Sequence, residues 1–330
     1  MRATSIAWAL VVLVGLMGCQ KTPRKAAEPP RKIRVAYTWQ PEGTLMHVAM
    51  AKGYFAEEGL EIQAVMSTFG KAAFQALLDH KADFATVGDT PIMFNALKGE
   101  PFLVIASFVS SNTNNAIVAR RDAGIEQAAD LKGKRIGFTP GTTSDFYLDS
   151  QLTVLGLVRK DIQPVALKPE EMREAIRSKK VDAVCTWNYP LAEIRRDLGA
   201  NGTTIFDQAI YTQTFNLTVS KDLMKKEPGT AQRFLSALLK AEAFVKQHRD
   251  EAQAIAAAAT KADLALVREV WDTCSYEVKL DPSLVITLED ETRWAMKHKL
   301  TDQTVMPDYR AFIHEDSLRA ARAAAPKGTR

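Results

Sequence analysis

The stretch RIGFTPGTTSDFYLDSQL, Arg135 to Leu152, decides how the rest of the chain is read. It reads as a buried strand, a Gly-Thr turn and a helix whose opening residues all carry hydroxyls or a carboxylate. Gly141 supplies turn freedom, and Thr142, Thr143 and Ser144 can present backbone N–H groups and hydroxyls. The helix dipole adds partial positive charge at the same place, a combination suited to an oxyanion. The same hydroxyls can equally cap their own helix. A helix N-terminus contributes at most ~2 kcal/mol in a partly buried setting, whereas micromolar binding needs about 8 kcal/mol. Other groups must supply the remainder.

Strand followed by helix recurs on either side of this stretch. From Ile33 onward the strand candidates are residues 33–37, 61–66, 83–88, 102–109, 115–120, 135–139, 181–187 and 215–220. Their alternation with amphipathic helical stretches predicts an α/β protein with mainly parallel sheets. After Ser220 the pattern turns helical, over 221–226, 230–248, 250–258, 263–273 and 283–299. In the second of these, Phe234, Leu238, Ala241 and Val245 form an apolar stripe that packs onto something else. No internal repeat is visible. With 330 residues, 46% hydrophobic and 25% charged, the chain is long enough for two cores. Its formal charge of +4 comes from scattered Lys and Arg, so there is no electrostatic footprint for nucleic acid.

At the N-terminus, Arg2 and the apolar run Ile6 to Met17 match a secretory signal, being shorter than the roughly 17 to 25 residues of a membrane span. The run ends in LMGC, Leu16 to Cys19, which resembles the bacterial lipoprotein signal. The expected mature form begins at a lipidated Cys19, with residues 1–18 removed and residues 19–32 as a solvated tether. The membrane contact is then the lipid anchor alone, on the extracytoplasmic side of a bacterial membrane, periplasmic if the cell is Gram-negative, with the choice of inner or outer membrane open. Cys185 and Cys274 are expected to be buried thiols, and whether they pair is open.

In parallel sheets a ligand sits beyond the carboxyl ends of the strands. That rule selects the turns at 37–43, 67–71, 88–91, 139–144 and 186–190, all rich in hydrogen-bonding or aromatic side chains. The candidate ligand contacts are Trp39, Gln40, Thr68, Gly70, Asp89, Thr90, Gly141, Thr142, Thr143, Ser144, Trp187 and Tyr189. Trp39, Trp187 and Tyr189 can hold the apolar part of a solute or pack under the hinge, and Phe69 reads as core. Burial of about 100 Å² of apolar surface adds roughly 2.5 kcal/mol. Asp89 suits a helix cap, yet a carboxylate from Asp89, Asp145 or Asp207 in the cleft can hold an amine. Sequence signatures of catalysis are absent, with no G-x-S-x-G, H-E-x-x-H, Walker or dinucleotide-binding pattern, and the five His residues lack metal-ligand spacing. No metal and no cofactor is implied.

GTLMHVAMAKGYFAEEGLEIQAV, KADFATVGDTP and DLKGKRIGFTPGTTSDFYLDSQL resemble the solute-binding proteins of ABC importers for taurine, alkanesulfonates, nitrate and thiamine precursors. The resemblance runs from Ile33 to about Leu318. It implies a periplasmic-binding-protein-like fold of type II, with lobe I at 33–113 and 216–330 and lobe II inserted at 114–215. Two hinge strands, near 109–116 and 211–216, would let the lobes close around a ligand. The implied protein is a monomeric, non-enzymatic receptor that delivers a small organic anion, sulfonate or taurine-like, to an ABC permease and its ATPase. A thiamine-pyrimidine precursor or nitrate is the alternative ligand. Fungal enzymes that make that pyrimidine from pyridoxal phosphate share the fold, and export as a lipoprotein argues against that chemistry.

Overall fold

The structure is a computed structural model that describes residues 29–325. The signal segment, Cys19 and the tether up to residue 28 lie outside the described residues. Eleven strands form two sheets. In chain order they are β1 (Arg31–Thr38), β2 (Leu60–Ser67), β3 (Phe84–Gly88), β4 (Phe102–Ser111), β5 (Asn115–Arg120), β6 (Arg135–Phe138), β7 (Gln163–Ala166), β8 (Ala183–Trp187), β9 (Gly202–Ile205), β10 (Gln213–Ser220) and β11 (Ser275–Lys279). All eight expected strands are present. The three that sequence reading missed, β7, β9 and β11, lie at sheet edges. Edge strands bury one side at most, and so carry no continuous apolar run.

The first sheet has the order β11-β4-β10-β3-β1-β2 and the second β7-β6-β8-β5-β9. Apart from β11, the two follow one plan. In each, a central strand pairs in parallel with two neighbours: β1 with β2 and β3, and β6 with β7 and β8. The next strand along, β10 or β5, runs antiparallel to β3 or β8. The class is α/β as expected, but the sheets are mixed rather than mainly parallel. The reason is topological: β5 and β10 are the strands that have just arrived from the other sheet, and each inserts against the local direction.

The repeated plan extends to an ion pair. Asp83, just before β3, accepts from the Arg34 backbone N–H at 2.9 Å and from its guanidinium at 2.7 Å. Asp182, just before β8, does the same for Arg135 at 2.9 and 2.7 Å. Each bidentate clamp sets the register of one parallel pair. A structural repeat is therefore present that the residue string conceals.

Helices cover both sheets. The longest, Pro228–Gln247, lays Phe234, Leu238, Ala241 and Val245 onto the first sheet as its stripe predicts, and Phe234 stacks on Phe84 of β3 at 4.5 Å. Among the described residues no helix is long and apolar enough to cross a membrane. Cys185 and Cys274 are both free and buried, in separate cores.

The chain crosses between the sheets after Ser111 and before Gln213. At the return crossing the fully buried Asp89 carboxylate accepts from the Tyr211 hydroxyl, from the Thr214 backbone N–H at 2.8 Å and hydroxyl at 3.2 Å, and from the Thr90 N–H at 3.0 Å. Behind it the Thr90 hydroxyl donates to Glu291, also fully buried. Burial raises both carboxyls, Asp89 to about 6, with its donors opposing. Glu291 is raised further because the Asp89 charge adds to burial. Of the two, Glu291 is therefore the one that holds its proton more strongly.

Two substitutions test this division. Asp89→Asn places an amide NH2 among donors and is expected to cost about 2–3 kcal/mol, whereas Glu291→Gln is expected to cost under about 1 kcal/mol. Because the folded-state pKa of Glu291 is raised, its contribution to stability is complete below the unfolded Glu value and is lost as pH rises above it. Urea unfolding from pH 4 to 8 should therefore show wild type losing stability relative to Glu291→Gln as pH increases.

Candidate functional site

A cavity of about 30 Å³ lies between the two sheets, at the carboxyl ends of β1, β3, β6 and β8. Larger grooves, of about 590 and 640 Å³, open on the outer surfaces and are lined largely by charged side chains. The inner cavity differs in kind. Its wall combines Phe69, Trp187 and Phe215 with Thr38, Gln40, Glu42, Lys71, Thr142, Thr143 and Gln213. This space is little more than a water molecule needs, so a larger solute fits only if the sheets move apart.

On one side stands the helix Thr143–Val154. Its side chains cap the turn before it: Thr142 Oγ1 donates to the Thr139 carbonyl at 2.7 Å, and Ser144 Oγ accepts from the Thr139 N–H at 3.2 Å. The backbone N–H groups of Thr142, Thr143 and Ser144 have no acceptor among the described residues. No side chain caps this helix: the hydroxyls secure the turn before it, and the helix-start amides stay free. Gly141 is required by its φ of +66°; a Cβ there would also lie 2.7 Å from Lys71 Nζ, the far end of a flexible side chain that can shift. That ammonium donates to the Pro140 carbonyl at 2.9 Å, which links the first sheet's side to the second's. Burial lowers the Lys71 pKa, and nearby Asp145 opposes the shift.

On the other side, the segment after β1 contributes Glu42, 2% exposed. The Asn114 amide, at 3.3 Å, and the Asn188 amide both donate to Glu42 Oε1. Glu42 Oε2 has no partner among the described residues, and neither do Thr38 Oγ1 and Gln40 Oε1. Burial raises the Glu42 carboxyl pKa, against the pull of the two amides. Asn188 opens its helix at φ +49°, an unusual conformation for a side-chain-bearing residue, and its N–H donates to Asn114 Oδ1 at 3.1 Å. Between these walls Thr143 Oγ1 donates to Asn115 at 3.4 Å, and Asn115 donates to Gln213 at 2.6 Å.

Of the sequence candidates, Gln40, Gly70, Thr142, Thr143 and Trp187 line the cavity, and Gly141 and Ser144 shape its rim. Trp39, 38% exposed, and Thr68 lie outside it. Asp89 and Thr90 are engaged at the return crossing. Tyr189 packs into the first sheet's core, and its hydroxyl is unpartnered. Asp145 is paired with Arg159 at 2.7 Å, Asp207 accepts from the Ala209 N–H at 2.9 Å, and neither lines the cavity. Phe69, read as core, is a wall residue.

Sequence reading passed over Glu42, Lys71, Asn114, Asn188, Gln213 and Phe215. Each falls in a turn or hinge that it had marked, so the segment was legible and the particular side chain was not. A second contact across the cleft had no sequence signal: Trp294 Nε1 donates to Asp149 Oδ2 at 2.9 Å, and the indole meets Phe146 edge-on at 5.3 Å. Among the described residues no group of three or more His, Cys, Asp or Glu is arranged to hold a metal ion.

Comparison with known proteins gives a consistent picture. The chain is 28% identical over 213 residues to a Bacillus subtilis protein named for binding aliphatic sulfonates, a match covering 62% of this chain and 63% of that one. A similarly named Escherichia coli protein is 25% identical over 254 residues, covering 75% and 77%. Among solved structures, the periplasmic aliphatic sulphonate binding protein SsuA of Escherichia coli aligns with a TM-score of 0.75 at 20% identity, over 87% of this chain and 92% of that one. The periplasmic nitrate-binding protein NrtA of Synechocystis aligns with a TM-score of 0.74 at 14% identity, over 91% of each. At these identities the structural likeness establishes the fold. A family model described as NMT1/THI5 like matches residues 40–252, well over half of the chain. The chain therefore belongs to the NMT1/THI5-like family and has the periplasmic-binding-protein fold.

Proposed function

We propose that this protein is the lipid-anchored solute-binding component of an ABC importer, and that it captures a small organic anion of the sulfonate class between two hinged lobes. The observation that carries the reading is the convergence, in one cavity between the sheets, of three free helix-start N–H groups, the Lys71 ammonium and the rings of Phe69, Trp187 and Phe215. Amides and ammonium suit the oxyanion, and the rings suit a short carbon chain. The names of the relatives point the same way. The lobes are residues 33–113 with 216–330, and residues 114–215, hinged at 109–116 and 211–216. The solute is exchanged with a permease and its ATPase by closure alone, with no bond made or broken, and the receptor acts as a monomer outside the cytoplasmic membrane, tethered through Cys19.

Calorimetry against taurine, alkanesulfonates, nitrate, bicarbonate and hydroxymethylpyrimidine tests this, with micromolar or tighter binding expected for a sulfonate and no binding by any sulfonate overturning it. Lys71→Met is expected to weaken binding of the best anion about 10-fold, by removing a charge-assisted hydrogen-bond donor. For Trp187→Ala the loss should be about 10- to 100-fold, since it uncovers the solute's apolar part. Trp294→Phe keeps the ring packing but loses the hydrogen bond to Asp149. A fall of roughly 3- to 10-fold in affinity, with an unchanged association rate in stopped-flow fluorescence, would mark that contact as a clasp of the closed form.

A further inference from the structure

We propose that Glu42 determines specificity in this cavity, its free carboxylate oxygen reserving the site for an organic anion that also carries an amino or ammonium group. The inference rests on the anion-binding reading above and concerns the opposite wall of the same cavity.

The two walls differ chemically. The second sheet presents donors, the N–H groups of Thr142, Thr143 and Ser144. The first sheet's side carries the Lys71 ammonium and, at the end of β1, the Thr38 hydroxyl, Gln40 Oε1 and Glu42 Oε2, these three oxygens buried and without a partner among the described residues. Glu42 decides the matter, because Asn114 and Asn188 both approach its other oxygen, Oε1. One oxygen is thereby fixed in place and the other is left buried and unpartnered, on a residue that lines the cavity. A buried acceptor left unpaired costs about 1–3 kcal/mol, and more when charged. A simple alkanesulfonate or nitrate would leave that cost unrelieved. A solute with a donor at the far end from its oxyanion satisfies both walls. Sites that hydrogen-bond a polar group discriminate strongly against analogues lacking it, because their own buried groups are then stranded.

Glu42→Gln tests this with little change of shape. Gln Oε1 can still accept from Asn114 and Asn188, while its NH2 replaces the free oxygen, so one acceptor becomes a donor. The probes are 2-aminoethanesulfonate, 2-hydroxyethanesulfonate and ethanesulfonate, which differ only at the far end, together with 4-amino-5-hydroxymethylpyrimidine. By calorimetry, wild type should bind the amino compound at least about 10-fold tighter than ethanesulfonate, with the hydroxyl compound between them, and Glu42→Gln should abolish or invert that order. Equal wild-type affinities for the three sulfonates, or a preference that survives in Glu42→Gln, would overturn the inference and leave the anion reading standing. Binding of the aminopyrimidine alone, lost in Glu42→Gln, would overturn the anion reading and support Glu42 as the selector of donors. Should none of the four bind the folded wild-type protein, both are overturned.

Discussion

The carboxylate of Asp89 fixes where the chain re-joins the first sheet, and the cleft follows from it. Four donors drawn from Thr90, Tyr211 and Thr214 meet at one buried side chain. The start of β10 is thereby pinned beside the end of β3, and Gln213 and Phe215 are delivered to the cavity wall. A charge buried this deeply is tolerable only because every donor is in place. The neighbouring Glu291, which has only hydroxyl company and the Asp89 charge beside it, is pushed further toward its protonated form. Two carboxyls that share Thr90 thus respond differently for identifiable reasons.

The outgoing crossing is managed differently. There Glu42 meets Asn114 and Asn188, one amide from the crossing segment and one from the start of the helix after β8. These tie both sheets to the segment after β1, but they satisfy only half of the carboxylate. Asp89 accepts from four donors, whereas Glu42 Oε2 accepts from none among the described residues, although both residues are almost wholly buried.

The shared plan of the two sheets explains why the walls converge at all. Each central parallel strand is clamped to its neighbour by an Arg–Asp pair at the amino end, so its carboxyl end is free to deliver a turn and a helix start. With the two sheets facing, those ends meet in one place. The second sheet brings helix amides. The first brings side-chain oxygens, because the segment after β1 runs into a short 3-10 turn, Pro41–Gly43, that turns Glu42 inward.

Periodicity and turn chemistry in the sequence determined the α/β class, the central strands and the long helices. They also determined the segments that form the site, because apolar runs and Gly-Thr turns are local properties that neighbouring residues settle between themselves. Gly141, Thr142 and Thr143 were legible for that reason, and Trp187 because it ends a buried strand. Tertiary structure alone decided which side chain of each marked turn lines the cavity. Glu42 and Asp89 are both acidic residues in strand-end turns, and nothing within either turn says that one is surrounded by donors and the other only half satisfied. The partners that make the difference, Tyr211 and Thr214 for Asp89 and Asn114 and Asn188 for Glu42, stand 72 to 146 positions away, and contacts at that range exist only once the two sheets have come together.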